Sequence, residues 1–290
     1  MKLTKQELSI MKNRINRWAA GIVFFLMSVV ACAQDSGEIP VPLSDPSKRA
    51  KLKVHINYGS ITVKGTARKD ILVKYTQRED DHGDDDDDER RDKDSRSTKN
   101  GLKRIGGGTL DLEVSENSNF VRIQSDSWNN RVNLTVEVPS GIDMNLHTYN
   151  DGDIDIANIQ GEIELNNYNG EITAENISGS VVATTYNGEI KVTFDKITEG
   201  TPMSFVTYNG DIDVTFPATL KASLKMKTQQ GEILTGFDVK LTPVNPVIKD
   251  NSKGGTYKVT LDEWVRGDIN GGGPEFIMRN YNGDILVRKK

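Results

Sequence analysis

From Asn150 to Val192, apolar and polar residues keep a fixed beat. Glycines fall at 152, 161, 170, 179 and 188, nine residues apart each time. Two residues after each glycine stands Ile154, Ile163, Ile172, Val181 or Ile190, and four after it Ile156, Leu165, Ala174, Ala183 or Val192. The residues between them, Asp155, Glu164, Thr173, Val182 and Lys191, are mostly polar. Side chains alternate faces along a strand, so each unit predicts a short strand with one face turned inward and the other to solvent. The position two before the glycine alternates Ile159 and Ile177 with Tyr168 and Tyr186, which makes the full period eighteen. A repeat of that length decides the architecture ahead of local propensity.

A strand this short cannot bury its apolar face alone, but stacked copies about 4.8 Å apart can. Asn-Gly reaches positive φ at low steric cost and marks a tight corner. Two arrangements fit. In a β-solenoid, each coil lays two strands against parallel copies in the next coil. In an antiparallel meander, Asn-Gly closes two-residue hairpins. Tyr-Asn-Gly recurs in every second unit, with Ile-Gln-Gly and Ile-Ser-Gly between, as a coil with two unlike corners requires; a meander shows the same alternation. The expected fold is all-β, a solenoid of stacked short strands, with an antiparallel β-sandwich or meander as the alternative. The tyrosines should stack on one another. Their alternation with isoleucine points to burial beside Ile159 and Ile177; if exposed, they would offer a surface for glycan stacking.

The pattern extends outward from this array. Val54, Ile56, Ile61 and Val63 form one unit around Tyr58-Gly59, and Ile71, Val73 and Tyr75 continue the alternation. Strands are also expected over 110–114, 120–124, 132–138 and 257–261, with loops at 198–203, 241–256 and 271–274. Tyr208-Asn-Gly-Asp-Ile212 and Gln229-Gln-Gly-Glu-Ile233 follow at wider intervals. The chain closes on Tyr281-Asn-Gly-Asp-Ile285. That ending predicts a last rung at the C-terminus, with Arg288, Lys289 and Lys290 opposing end-to-end addition.

Residues 1–33 read as an export signal. Lys12, Arg14 and Arg17 precede sixteen uncharged residues from Trp18 to Ala33, short for a membrane span. Met11 is an alternative start. Val29-Val30-Ala31-Cys32 resembles a lipobox, which would place a lipid on Cys32; Ala31-Cys32-Ala33 equally fits an ordinary small-x-small cleavage site. Cys32 is the one cysteine of the chain, so the exported part has no internal disulfide and no cysteine-based metal site or catalytic thiol. The chain carries −5 and the leader, with five basic residues and one acidic, +4; the remainder therefore carries −9. Residues 34–48, with Pro40, Pro42 and Pro46, read as a flexible tether, and 49–290 as the β-repeat domain. Residues 79–108 read as a disordered insertion. Its first part, Glu79 to Lys99, holds eleven acidic residues against five basic ones. Its five consecutive aspartates, Asp84 to Asp88, lack the spaced oxygens and glycine bend of a Ca²⁺ loop.

Little in the sequence offers chemistry. The three histidines, His55, His82 and His147, lie far apart, and His147 is expected at the surface or an edge. Nucleophile-elbow, zincin and Walker patterns are absent, and Gly106-Gly107-Gly108 is followed by no Lys-Ser/Thr and no helix. The acids after the glycines, Asp153, Glu162, Glu171, Glu189, Asp211, Glu232 and Asp284, are expected at solvent-facing corners, where stacked like charges repel.

Three stretches carry a likeness: Val136-Glu-Val-Pro-Ser-Gly141, His147-Thr-Tyr-Asn150 with Gly152-Asp-Ile154, and the repeated Tyr-Asn-Gly-Glu/Asp-Ile. Over about 50–290, apart from the acidic insertion, the chain resembles the putative adhesin family, bacterial domains of unknown function built from β-strand repeats. The resemblance implies a right-handed, β-helix-like fold and a cell-envelope location: periplasm, outer membrane or cell surface. The expectation is an exported, non-enzymatic binding or scaffold module acting through its repeat surface, without a cofactor or metal. The candidate ligand ladder is Tyr168, Tyr186 and Tyr208 with Glu171, Glu189 and Asp211. Its partner is expected to be a glycan or an envelope protein, with no nucleic acid, and with membrane contact only through a lipid at Cys32. The competing reading is a carbohydrate-active β-helix enzyme using carboxylates on the repeat face.

Overall fold

The computed structural model describes residues 35–79, 98–99, 102–103, 111–128, 130–243, 247–251, 256–260 and 264–290. The leader with Cys32, His82, the aspartate run and Gly106–Gly108 lie outside the described residues.

The apolar positions of the repeat all face inward. Ile154, Ile163, Ile172, Val181 and Ile190 are buried, as are Ile156, Leu165, Ala174, Ala183 and Val192. Between them Asp155, Glu164, Val182 and Lys191 face solvent. The strands pair in parallel, which decides for the solenoid over the meander. On the first face the hydrogen-bonded order is Phe120–Ser125, Ala50–Tyr58, Ile142–Asn150, Gln160–Asn167, the second half of Ile172–Thr184, Met203–Val206, Glu275–Arg279 and Ala222–Lys227. On the second face it is Asn130–Pro139, Ile61–Thr66, Ile154–Ala157, the first half of Ile172–Thr184, Ile190–Ile197, Ile212–Phe216, Ile285–Lys289 and Ile233–Thr235.

Antiparallel strands close the ends. Glu113–Asn117 covers Phe120–Ser125, and Ile71–Glu79 covers Asn130–Pro139. At the other end Val265–Ile269 pairs with Ala222–Lys227, and Val239–Leu241 lies outside it. Such caps protect open strand edges from further pairing. Toward this end the core is filled by phenylalanines: Phe194, Phe205, Phe216 and Phe276 are fully buried, and Phe194 stacks on Phe216 at 5.1 Å.

Four expectations need correction, the first being the disordered insertion over 79–108: Glu79 pairs with Asn130 at the end of the strand Ile71–Glu79, and Thr98–Lys99 pairs with Leu102–Lys103. Residues 35–41 do not belong to a tether: Asp35–Val41 is an edge strand paired with Ile71–Gln77, and Ser44 and Asp45 are held by Glu116 and Asn119. Pro40 is tolerated there because an edge strand can spare a ladder donor. The C-terminal coil is not the last rung, since Ile285–Lys289 lies between Ile212–Phe216 and Ile233–Thr235. Likewise the 50–66 coil is wedged between those of 120–139 and 142–157. Spatial order follows chain order only from Ile142 to Phe216. The loop expected at 241–256 contains the strand Val247–Asn251, which pairs with Thr256–Thr260.

Candidate functional site at the tyrosine corner

Each coil turns from the first face to the second through Tyr-Asn-Gly or its equivalent. The strand before the corner keeps strict alternation, so Asn167, Thr185 and Thr207 point inward and the following Tyr168, Tyr186 and Tyr208 point outward. Their exposures are 38, 41 and 40%, which overturns the expected burial. The rings do stack, and the ladder is longer than the sequence indicated. Tyr149, Tyr168, Tyr186, Tyr208 and Tyr281 lie in one file with centroids 4.7, 5.1, 4.9 and 4.8 Å apart and planes within 7° of parallel. Trp128 meets Tyr149 edge-on at 5.4 Å and is 58% exposed. Because each inner ring has both faces covered by its neighbours, solvent sees ring edges along the file.

Beside the rings runs a file of amides. Asn169 donates to Asn150, Asn187 to Asn169, Asn209 to Asn187 and Asn282 to Asn209, at 2.6–2.8 Å. Stacked identical amides with this spacing reinforce the backbone ladder. On the inner side of the corner, Thr148, Asn167, Thr185, Thr207, Asn280 and Thr228 donate to the carbonyls of Gly59, Gly152, Gly170, Gly188, Gly210 and Gly283. Each bond goes to the preceding coil in space, which for Thr148, Asn280 and Thr228 is not the preceding coil in sequence. The glycines are required by crowding: at Gly210, φ is +139° and a Cβ would sit 2.2 Å from the Gly188 carbonyl oxygen.

Past the corner stands the carboxylate column Asp153, Glu171, Glu189, Asp211, Asp284 and Glu232, so the predicted ladder residues Glu171, Glu189 and Asp211 are brought together. Three of these acids cap the next rung: Asp153, Asp211 and Asp284 accept from the backbone N–H of Glu171, Asp284 and Glu232 at 2.7–2.8 Å. Glu189 is pushed up from the ordinary carboxylate range by partial burial and then by Glu171 and Asp211. Asp155, though solvent-facing, is pushed up by partial desolvation and then by Asp153, Glu171 and Glu175. No cation is ion-paired to the column among the described residues, and no group of three His, Cys, Asp or Glu side chains there is placed to hold a metal. Glu162 lies on the first face, opposite Ser180, and is not part of the column.

Several features were missed. Tyr281 carries the full motif but is seventy-three residues beyond Tyr208, and Tyr149 sits before a corner lengthened by Asp151 (φ 51°). Trp128 has no motif at all. His55 and His147, far apart in sequence, are opposite each other on paired strands and stack at 4.6 Å. Burial, then His55, then Lys53, pushes His147 down. On the same face a depression of about 490 Å³ is lined by Lys51, Lys53, Phe120, Glu162, Val182 and Pro202, among others.

Fold and corner together define a parallel β-solenoid with a continuous aromatic and amide edge. The model of the Toastrack DUF4097 family matches residues 143–270, which hold the corners from Tyr149 to Tyr208. Among solved structures, a putative cell adhesion protein from Clostridium sporogenes is similar at 11% identity and a TM-score of 0.39, over 88% of this chain and all of the other. A putative adhesin from Parabacteroides merdae is similar at 8% identity and a TM-score of 0.24, over 88% and 96%. Neither likeness is close enough to carry a functional argument. No curated protein matches the chain.

Proposed function

We propose that this chain is an exported, non-enzymatic binding module of the bacterial envelope, and that the tyrosine corner is its contact surface. The observation that carries the reading is the single file of Trp128, Tyr149, Tyr168, Tyr186, Tyr208 and Tyr281, three of whose rings are about 40% exposed along the middle of the solenoid. Exposed aromatic surface held in a rigid row is costly to leave in water and is a common signature of recognition. The stacking restricts the partner. A sugar ring laid flat on an aromatic face finds the inner faces taken, so a glycan or an envelope protein must run along the file and meet edges and hydroxyls. Export rests on the charge and length of the leader, and membrane attachment on a lipid at Cys32.

The test is binding of the purified full-length protein to a glycan panel and to isolated envelope proteins. Replacing Tyr168, Tyr186 and Tyr208 together by Phe keeps the stack and removes three hydroxyls; replacing them by Leu removes the stack. Loss of binding in both variants, with melting little changed in the Phe variant, supports the corner. Unchanged binding in the Leu variant moves the contact elsewhere. Turnover of a glycan that falls on replacing Glu171 or Glu189 by Gln would favour the enzyme reading instead.

A further inference from the structure

Chain order and rung order part company at the C-terminal end. In space, Met203–Val206 is followed by Glu275–Arg279 and only then by Ala222–Lys227, and Ile212–Phe216 by Ile285–Lys289 and then Ile233–Thr235. Residues 275–290 thus fill a slot between two rungs that were both laid down earlier in the chain. The chain reaches them from Val265–Ile269 through the arch Asn270–Pro274. It crosses the end of Ala222–Lys227 so that Val265–Ile269 and Glu275–Arg279 flank that strand. Asn270, Gly271 and Gly272 all have positive φ, at 49°, 89° and 82°.

The bonds that hold the coil are ordinary repeat bonds. On one side the Gly210 and Ile212 N–H groups donate to the carbonyls of Asn282 and Asp284, both at 2.9 Å. On the other the Gly283 and Ile285 N–H groups donate to Gln230 and Glu232 at 2.9 and 2.8 Å. Tyr281 stacks on Tyr208, the Asn282 amide donates to Asn209, and Phe276, Met278, Ile285 and Val287 are buried. None of these contacts involves the arch. An identical coil arriving from another molecule would make every one of them, and exchange of identical elements between protomers costs little beyond the lost tether.

We infer that this slot accepts the C-terminal coil of a second copy of the chain, and that two chains pair by reciprocal exchange of residues 275–290. The arch decides between the closed monomer and the exchanged pair. Its five residues hold the chain's own coil at a high effective concentration. Shortening it removes the return path and leaves the slot to a neighbour. The pair has two-fold symmetry, and each solenoid in it keeps a complete tyrosine corner. This inference does not depend on what the corner binds.

Two full-length populations carrying different affinity tags are annealed together near their melting temperature at high concentration. Capture through both tags is expected. The full chain lacking Gly271–Gly273 is expected to elute as a dimer by light scattering at every concentration. In a third arm, a protease site replaces Gly271–Gly273. After cutting, a fluorescent peptide of residues 275–290 should exchange into the slot, and the same peptide with Ile285→Asp should bind at least about 100-fold more weakly, because a charge would enter the core. A folded monomer with the shortened arch, no doubly tagged species after annealing, or a cut chain that refuses the peptide each overturns the proposal. Should the shortened chain fail to fold, the annealing and peptide arms still decide.

Discussion

The solenoid's two corners occupy equivalent places in the nine-residue repeat and do opposite things. At one corner Ile159 and Ile177 are only 1% and 0% exposed; at the other Tyr168 and Tyr186 stand about 40% exposed. The difference lies in how many residues separate the last inward side chain from the corner. Before the tyrosines, Leu165 and Asn167, or Ala183 and Thr185, point inward two residues apart, so the next residue must point out. Before the isoleucines, the step is three: Ile156 to Ile159 and Ala174 to Ile177. The extra residue is absorbed at Asn158 and Asn176, both left-handed with φ of 60° and 54°; the two stay in register with each other, and the register shifts beside Asn176 where the next strand, Ile190–Ile197, lacks the extra residue. Asparagine tolerates that region better than most residues, and such a bulge re-aims the side chain that follows. One left-handed residue thus separates a sealed corner from a displayed one.

The contrast can be broken most strongly at the buried side. Ile177→Asp should cost about 4–5 kcal/mol or abolish folding, because it places an unpaired charge among apolar side chains. Tyr186→Ala, which loses two stacking contacts, should cost about 1–3 kcal/mol. Urea midpoints of the two variants measure the difference, and equal losses would refute the inward and outward assignment. Gly210→Ala should cost at least about 2 kcal/mol by thermal melting, since the corner cannot widen without parting two rungs. Asn176→Val should cost about 1–2 kcal/mol while Asn176→Gly stays near the parent, if the left-handed bulge is what turns Ile177 inward. A parent-like Val variant would remove that explanation.

The smallest effect concerns charge. The Glu189 carboxyl is raised above its ordinary value of 4.5 in the folded chain, so the folded state holds its proton more tightly. Its contribution to stability is fully present below about pH 4.5 and is lost as pH rises through the raised value. Glu189→Gln should therefore melt slightly above the parent at pH 7 and level with it in acid. A variant that melts lower at pH 7 would show that the column is held by a cation.

Much of the fold was legible because local rules set it. Glycine spacing, the apolar residues two and four after each glycine, and Asn-Gly corners fixed the strands, their inner faces and the solenoid pitch from Ile142 to Phe216. The ladder residues Tyr168, Tyr186, Tyr208, Glu171, Glu189 and Asp211 followed from the same spacing. Tyrosine exposure was not legible, because it turns on a one-residue bulge that the repeat count conceals. Nor were Trp128, Tyr281 and the His55–His147 stack, since these depend on which rung lies beside which. Every coil carries the same edge pattern of backbone donors and acceptors, so any coil can in principle stack on any other. Local sequence made each coil stackable; side-chain fit, end caps and connection lengths across the whole chain chose the order in which they stack.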